Sequence, residues 1–125
     1  MNIIVTDTHA LYWFLIGDKR LSKKAKTAIE EASRVVIPTI VLLELYYLLE
    51  KKKRKEAFVL AFEKFKNEGK YILVSLDVVA VEEVIKVSSA LEMHDSIIVA
   101  TAKMIEAPIV TKDRSINQTY KKTIW

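Results

Sequence analysis

The chain contains no cysteine, two histidines and only two glycines, Gly17 and Gly69. Each scarcity removes a class of chemistry. Without cysteine there are no disulfides, no thiolate zinc sites and no cysteine nucleophile. Two histidines argue against a His-rich metal site. A Walker A loop or a dinucleotide fingerprint needs several glycines at fixed offsets, so P-loop ATPase and Rossmann dehydrogenase readings fall away. No apolar run reaches the ~20 residues that a membrane span requires. The start, Met-Asn-Ile-Ile-Val-Thr-Asp, has no basic region leading into a long apolar stretch and so does not read as a signal peptide. The expectation is a soluble, cytoplasmic protein with no membrane partner. Asn and Gln are scarce while Lys and Glu abound, a bias compatible with a heat-adapted source.

What is present is a well-stocked core. Of 125 residues, 51% are hydrophobic, which suits a single domain spanning residues 1–125. Short β-branched runs read as buried strands at 2–6, 34–37, 71–76 and 108–111, with a short edge strand at 121–125. Between them the spacing predicts helices. Thr8 to Ile16 ends at Gly17, its aromatics facing a core or a subunit interface. Lys23 to Ala32 is capped by Ser22, Ile40 to about Lys52 by Thr39, and Glu56 to Glu68 is stopped by Gly69. Val78 to Leu91 is capped by Asp77, and a small-residue apolar helix runs from Asp95 to about Glu106. Strands alternating with helices imply an α/β domain with a parallel sheet covered on both faces. In such sheets the ligand site lies beyond the carboxyl ends of the strands.

Four acids stand out against that frame. Asp7 and Asp113 sit where strands run out. Asp95 opens the most apolar late helix, where a plain N-cap is one reading. Glu44 shares a helical face with Ile40, Tyr47 and Leu48, and a carboxylate on an apolar stripe is costly without compensation. If the four converge, their like charges raise one another's pKa, and a hard divalent cation relieves the repulsion. Magnesium and manganese favour carboxylate and water oxygens. The chemistry that follows is metal-assisted hydrolysis, with water activated by the metal and a carboxylate together, since no lysine or histidine takes a clear general-base role. Thr111 either orients a water or ligand through its hydroxyl or is an ordinary strand residue. The run Lys51, Lys52, Lys53, Arg54 and Lys55 is either a solvated helix terminus or a phosphate-contacting patch for RNA. The four acids carry −4 of a chain whose net charge is +4, so the remainder carries +8. An acidic hole in a basic surface suits a metal-dependent enzyme acting on a polyanion.

The segments Asp7-Thr8-His9-Ala10-Leu11-Tyr12-Trp13, Glu44-Leu45, His94-Asp95-Ser96-Ile97-Ile98-Val99-Ala100-Thr101-Ala102 and Val110-Thr111-Lys112-Asp113 follow one another at spacings that cover nearly the whole chain. In this order the chain resembles the PIN-domain ribonucleases, in particular the VapC-like toxins of type II toxin–antitoxin (VapBC) pairs. The resemblance implies a three-layer α/β/α sandwich with a central parallel sheet. It implies that Asp7, Glu44, Asp95 and Asp113 are both metal ligands and catalytic residues, binding Mg2+ or Mn2+ to cleave RNA. It also implies a homodimer neutralised by a cognate antitoxin whose tail occupies the cleft. Many members carry a further acid shortly after the position of Asp113. Here Asn117 stands nearby, which puts a second metal in doubt.

Two alternatives are kept. A PIN-type nuclease for RNA processing would have no antitoxin, and a small reading frame immediately upstream would argue against it. A receiver-like signalling domain would use an acidic magnesium pocket with phosphorylation at Asp77. Receivers, however, place paired acids after the first strand, where Asp7 stands alone.

Overall fold

The computed structural model describes residues 2–87 and 89–125. The apolar runs become strands: β1 (Ile3–Thr6), β2 (Arg34–Pro38), β3 (Tyr71–Val74), β4 (Ile109–Val110) and β5 (Thr123–Ile124). They form one sheet in the order β3-β2-β1-β4-β5, every pairing parallel. The register places Ile4 beside Val35 and Val5 beside Ile109. All four of these side chains are fully buried, as strands covered on both faces require. The connections step outward from β1 through β2 to β3. The chain then returns across the sheet to set β4 on the other side of β1. That reversal opens a crevice at the carboxyl ends of β1 and β4.

Among the described residues seven helices flank the sheet: α1 (Thr8–Ile16), α2 (Lys23–Glu31), α3 (Thr39–Lys51), α4 (Lys55–Asn67), α5 (Val78–Lys86), α6 (Met93–Ile105) and α7 (Arg114–Thr119). α2 lies over β4 and β5, α3 and α6 over β2, and α4 over β3. Ile29, Leu45, Phe65 and Ile98 lock these helices into one core, each fully buried. Burying one such side chain is worth about 1.5–3 kcal/mol. Tyr12 and Trp13 of α1 join the same core, so the interior claims them.

Several local expectations are corrected. Pro38, not Thr39, occupies the cap position of α3, and no side chain caps that end. α5 stops at Lys86, short of Leu91; Met1 and Ser88 lie outside the described residues. α7 was not foreseen. Its six residues, Arg-Ser-Ile-Asn-Gln-Thr, carry one buried apolar side chain, Ile116, too few to show a period. The face of α3 holding Glu44 and Tyr47 is not the core face, which is made by Val41, Leu42, Leu45 and Leu49.

Gly17 closes α1 in the left-handed conformation, at φ 67° and ψ 33°. A Cβ there would meet nothing within 4 Å. The cost of replacing it is therefore purely one of backbone conformation. Gly17→Ala is expected to lower stability by about 1 kcal/mol. In urea unfolding this should move the midpoint and leave the slope unchanged.

Candidate active site

Asp7 is the first residue beyond β1 and the N-cap of α1. Its Oδ1 accepts from the Ala10 backbone N–H at 2.9 Å. Its Oδ2 accepts a short hydrogen bond from the Thr111 hydroxyl, across the junction between β1 and β4. The same Thr111 oxygen accepts from the Asp113 backbone N–H at 3.0 Å. Thr111 therefore ties Asp7 to Asp113, a positioning role more specific than either expectation for it. It is buried and does not line the cavity described below. Asp113 caps α7, its Oδ1 accepting from the Ile116 N–H at 2.9 Å.

Asp95 is not an N-cap. Glu92 holds that position, and Asp95 is the third residue of α6. The capping explanation offered for Asp95 belongs instead to Asp7, Asp77 and Asp113. With no capping bond to make, Asp95 turns its mostly buried side chain to the cavity. Glu44, on α3, is fixed by the Thr8 hydroxyl, which donates to its Oε1 at 2.5 Å. Asp7, Glu44, Asp95 and Asp113 thus come from four separate segments. All four line a single cavity of about 650 Å³ at the carboxyl edge of the sheet.

Three residues that sequence reasoning left unassigned also belong here. Thr8 orients Glu44. His94 sets its Nε2 3.6 Å from Glu44, 3.7 Å from Glu92 and 3.6 Å from Asp95. Glu92 completes that acidic rim. His94 stood next to Asp95 in the sequence, so adjacency was the available signal. The link from Thr8 to Glu44 spans 36 positions and left none. Asn117 points elsewhere, its amide donating to the Thr123 hydroxyl at 2.5 Å to brace α7 against β5. Of the basic run, Lys51 reaches a neighbouring cavity. Lys52, Lys53 and Lys55 are exposed where α3 passes into α4, and Arg54 there pairs with Glu56 at 3.1 Å.

The electrostatics follow from burial. Desolvation pushes the Asp7 carboxyl up to about 6 from 3.8, against the Thr111 and Ala10 hydrogen bonds and the nearby His9, which pull it down. The Asp95 carboxyl is also raised, first by burial and then by the charges of Asp113, Glu44 and Glu92, with His94 opposing. Among the described residues no three acidic or histidine side chains form a ready-made metal-holding group. The donor set nonetheless fits a hard divalent ion. It consists of carboxylate oxygens in a water-accessible cavity, two of them resisting ionisation where they stand.

Asp77 lies on the far side of the sheet arrangement. It follows the edge strand β3, caps α5 through the Ala80 N–H at 2.9 Å, and does not line the cavity. The strand order also departs from the 2-1-3-4-5 arrangement of receivers. Residues 4–122 match the PIN domain. The chain belongs to the PIN domain family.

Relatives of this PIN domain agree with that placement. Ribonuclease VapC22 of Mycobacterium tuberculosis is 29% identical over 118 residues, covering 93% of this chain and 91% of its own length. Among solved structures, a toxin–antitoxin complex from Klebsiella pneumoniae contains a chain that superposes with a TM-score of 0.76 at 18% identity, covering 98% of this chain and 96% of that one. VapC20 of Mycobacterium tuberculosis, described as a sarcin–ricin loop cleaving toxin, superposes with a TM-score of 0.73 at 18% identity, covering 92% and 93%. At these identities the superpositions establish the PIN fold, a central parallel sheet flanked by helices.

Proposed function

We propose that this PIN domain is a divalent-metal-dependent endoribonuclease that hydrolyses RNA phosphodiester bonds, and that it serves as the toxin of a toxin–antitoxin pair. The observation that carries the reading is the meeting of four carboxylates from four segments in one cavity. The printed names of the relatives, a ribonuclease and toxin–antitoxin proteins, support RNA as substrate and an antitoxin as partner.

Asp7, Glu44, Asp95 and Asp113 would hold magnesium or manganese. When bound, such an ion polarises a phosphoryl oxygen and eases the ionisation of water near neutral pH. The chain supplies the rest. Thr111 and the Ala10 N–H keep Asp7 in place, and Thr8 keeps Glu44 in place. The carboxylate oxygens that accept these bonds each retain further acceptor capacity. A carboxylate of this set takes the proton of the attacking water. Lys112 lines the same cavity and offers a cation to the substrate phosphate. The basic remainder of the surface draws a polyanion toward the acidic centre. With Asn117 turned toward Thr123, one ion is the simpler stoichiometry. The reading extends to a single-domain, cytoplasmic homodimer silenced by its antitoxin.

Purified protein is expected to cut single-stranded RNA in magnesium or manganese and to stop in EDTA; cleavage that persists in EDTA overturns the mechanism. Asp95→Asn should cost at least about a hundredfold in rate, since even outer-sphere partners of metal ligands cost 10–100-fold. Its melting temperature should not fall, because Asp95 caps nothing. A small upstream reading frame whose product binds the protein and blocks cleavage separates a toxin from an RNA-processing nuclease.

A further inference from the structure

Beside the acidic cavity lies a second one of about 320 Å³, lined by Thr8, His9, Glu44, Tyr47, Leu48 and Lys51. Thr8, His9 and Glu44 line both, so the two adjoin. The four α3 residues are spaced by three and four and share one helix face. That face runs from Glu44 at the acidic centre to Lys51 at the head of the basic run. The span is about 10 Å at 1.5 Å per residue. Between them stands Tyr47, an aromatic side chain left 64% exposed. Its ring is braced edge-on by Tyr46 at 5.3 Å, and Tyr46 in turn rests on Phe58 at 5.3 Å. His9 is exposed at the junction of the two cavities, its ring packed on the buried Trp13 at 5.6 Å.

We infer that this crevice between α1 and α3 is a nucleotide subsite, in which the Tyr47 ring stacks a base flanking the scissile phosphate and Lys51 contacts the next phosphate. The inference rests on the ribonuclease reading above. A braced, exposed aromatic ring followed by a lysine is the pattern that single-stranded nucleic acid needs, a π-face for the base and a cation for the backbone. Charge decides the occupant. The outer end is lined by Lys51, the first residue of the exposed basic run 51–55, whose charge attracts a polyanion, and Leu48 gives the base an apolar floor.

The test is fluorescence anisotropy with a short labelled single-stranded oligoribonucleotide, using the full chain in EDTA, where the proposed chemistry is silent. Tyr47→Ala is expected to raise Kd about tenfold, within the range of one base–aromatic stack, while Tyr47→Phe holds it within about twofold. Lys51→Ala should reduce the slope of log Kd against log salt by about 0.7, the loss of one phosphate contact on a single strand. On an abasic strand of the same length Tyr47→Ala and the wild type should bind alike. Equal Kd for wild type and Tyr47→Ala on the ordinary strand overturns the subsite, as does an equal loss on the abasic strand. A Tyr47→Ala variant that dissociates a dimer or releases a protein partner with RNA affinity intact overturns it too, and assigns the crevice to protein. If the wild type cleaves RNA in magnesium but Tyr47→Ala binds normally, the subsite alone fails. If the wild type neither binds nor cleaves RNA, the ribonuclease reading fails and takes the subsite with it.

Discussion

Asp7→Asn is expected to abolish RNA cleavage while making the metal-free protein more stable at neutral pH. Burial lifts the Asp7 carboxyl to about 6, so above that pH the folded state holds an unwelcome charge. A shift of about two units corresponds to about 3 kcal/mol of differential stability. Because the folded value exceeds the unfolded one, the contribution is fully present below about pH 4 and lost as pH rises through about 6. Asparagine removes the charge and still accepts from the Ala10 N–H, so the cap survives. It competes poorly for the Thr111 hydrogen, which returns part of the gain. The net expectation is a rise of about 1–2 kcal/mol at pH 7 and little difference at pH 4. Denaturant unfolding of both proteins in EDTA at the two values checks it. A variant less stable than wild type at pH 7 would mean that Asp7 is chiefly structural, and retained cleavage would remove it from the catalytic set.

Thr111→Val is expected to damage both stability and activity although Thr111 does not line the cavity. One hydroxyl serves two partners there, donating to Asp7 and accepting from the Asp113 N–H. The methyl group of valine fills the space and satisfies neither. Each buried polar group left unpaired costs about 1–3 kcal/mol, so a loss of about 3 kcal/mol is expected at neutral pH. The Thr111 bond is also the strongest influence holding the Asp7 carboxyl down. Without it that carboxyl moves above about 6, and the pH range over which metal-free stability falls moves upward with it. Thr111→Ser keeps the hydroxyl and should restore both stability and the original pH range. Unfolding midpoints across pH 4–8 for the three proteins decide this. A Thr111→Val variant with an unshifted pH dependence would mean that the hydroxyl does not tune Asp7.

Local sequence was enough for the strands and for every described helix but α7. Runs such as Ile3-Ile4-Val5 and Val35-Val36-Ile37 are too short and too β-branched to be anything but buried strands. The αL glycine after α1 and the Ser22 and Asp77 caps carry their own signals. The family resemblance joined Asp7, Glu44, Asp95 and Asp113 before any geometry was known, because each acid sits inside a recognisable run. What the chain alone could not assign were roles that depend on who arrives from a distance. Asp95 resembles a cap by composition, yet Glu92 starts the helix three residues earlier and leaves its carboxylate to the cavity. Glu44 was read against a local apolar stripe, but the sheet claims the other face of α3, so its own face becomes cavity wall. For Thr111 the sequence leaves open a hydroxyl that orients a water or ligand and an ordinary strand residue; only the return of β4 to the side of β1 brings that hydroxyl to Asp7, 104 positions away. Periodicity and capping act over a turn or two of chain and are written locally. Burial of a charge, and the partner that makes it tolerable, are properties of the packed sheet and are decided only when it closes.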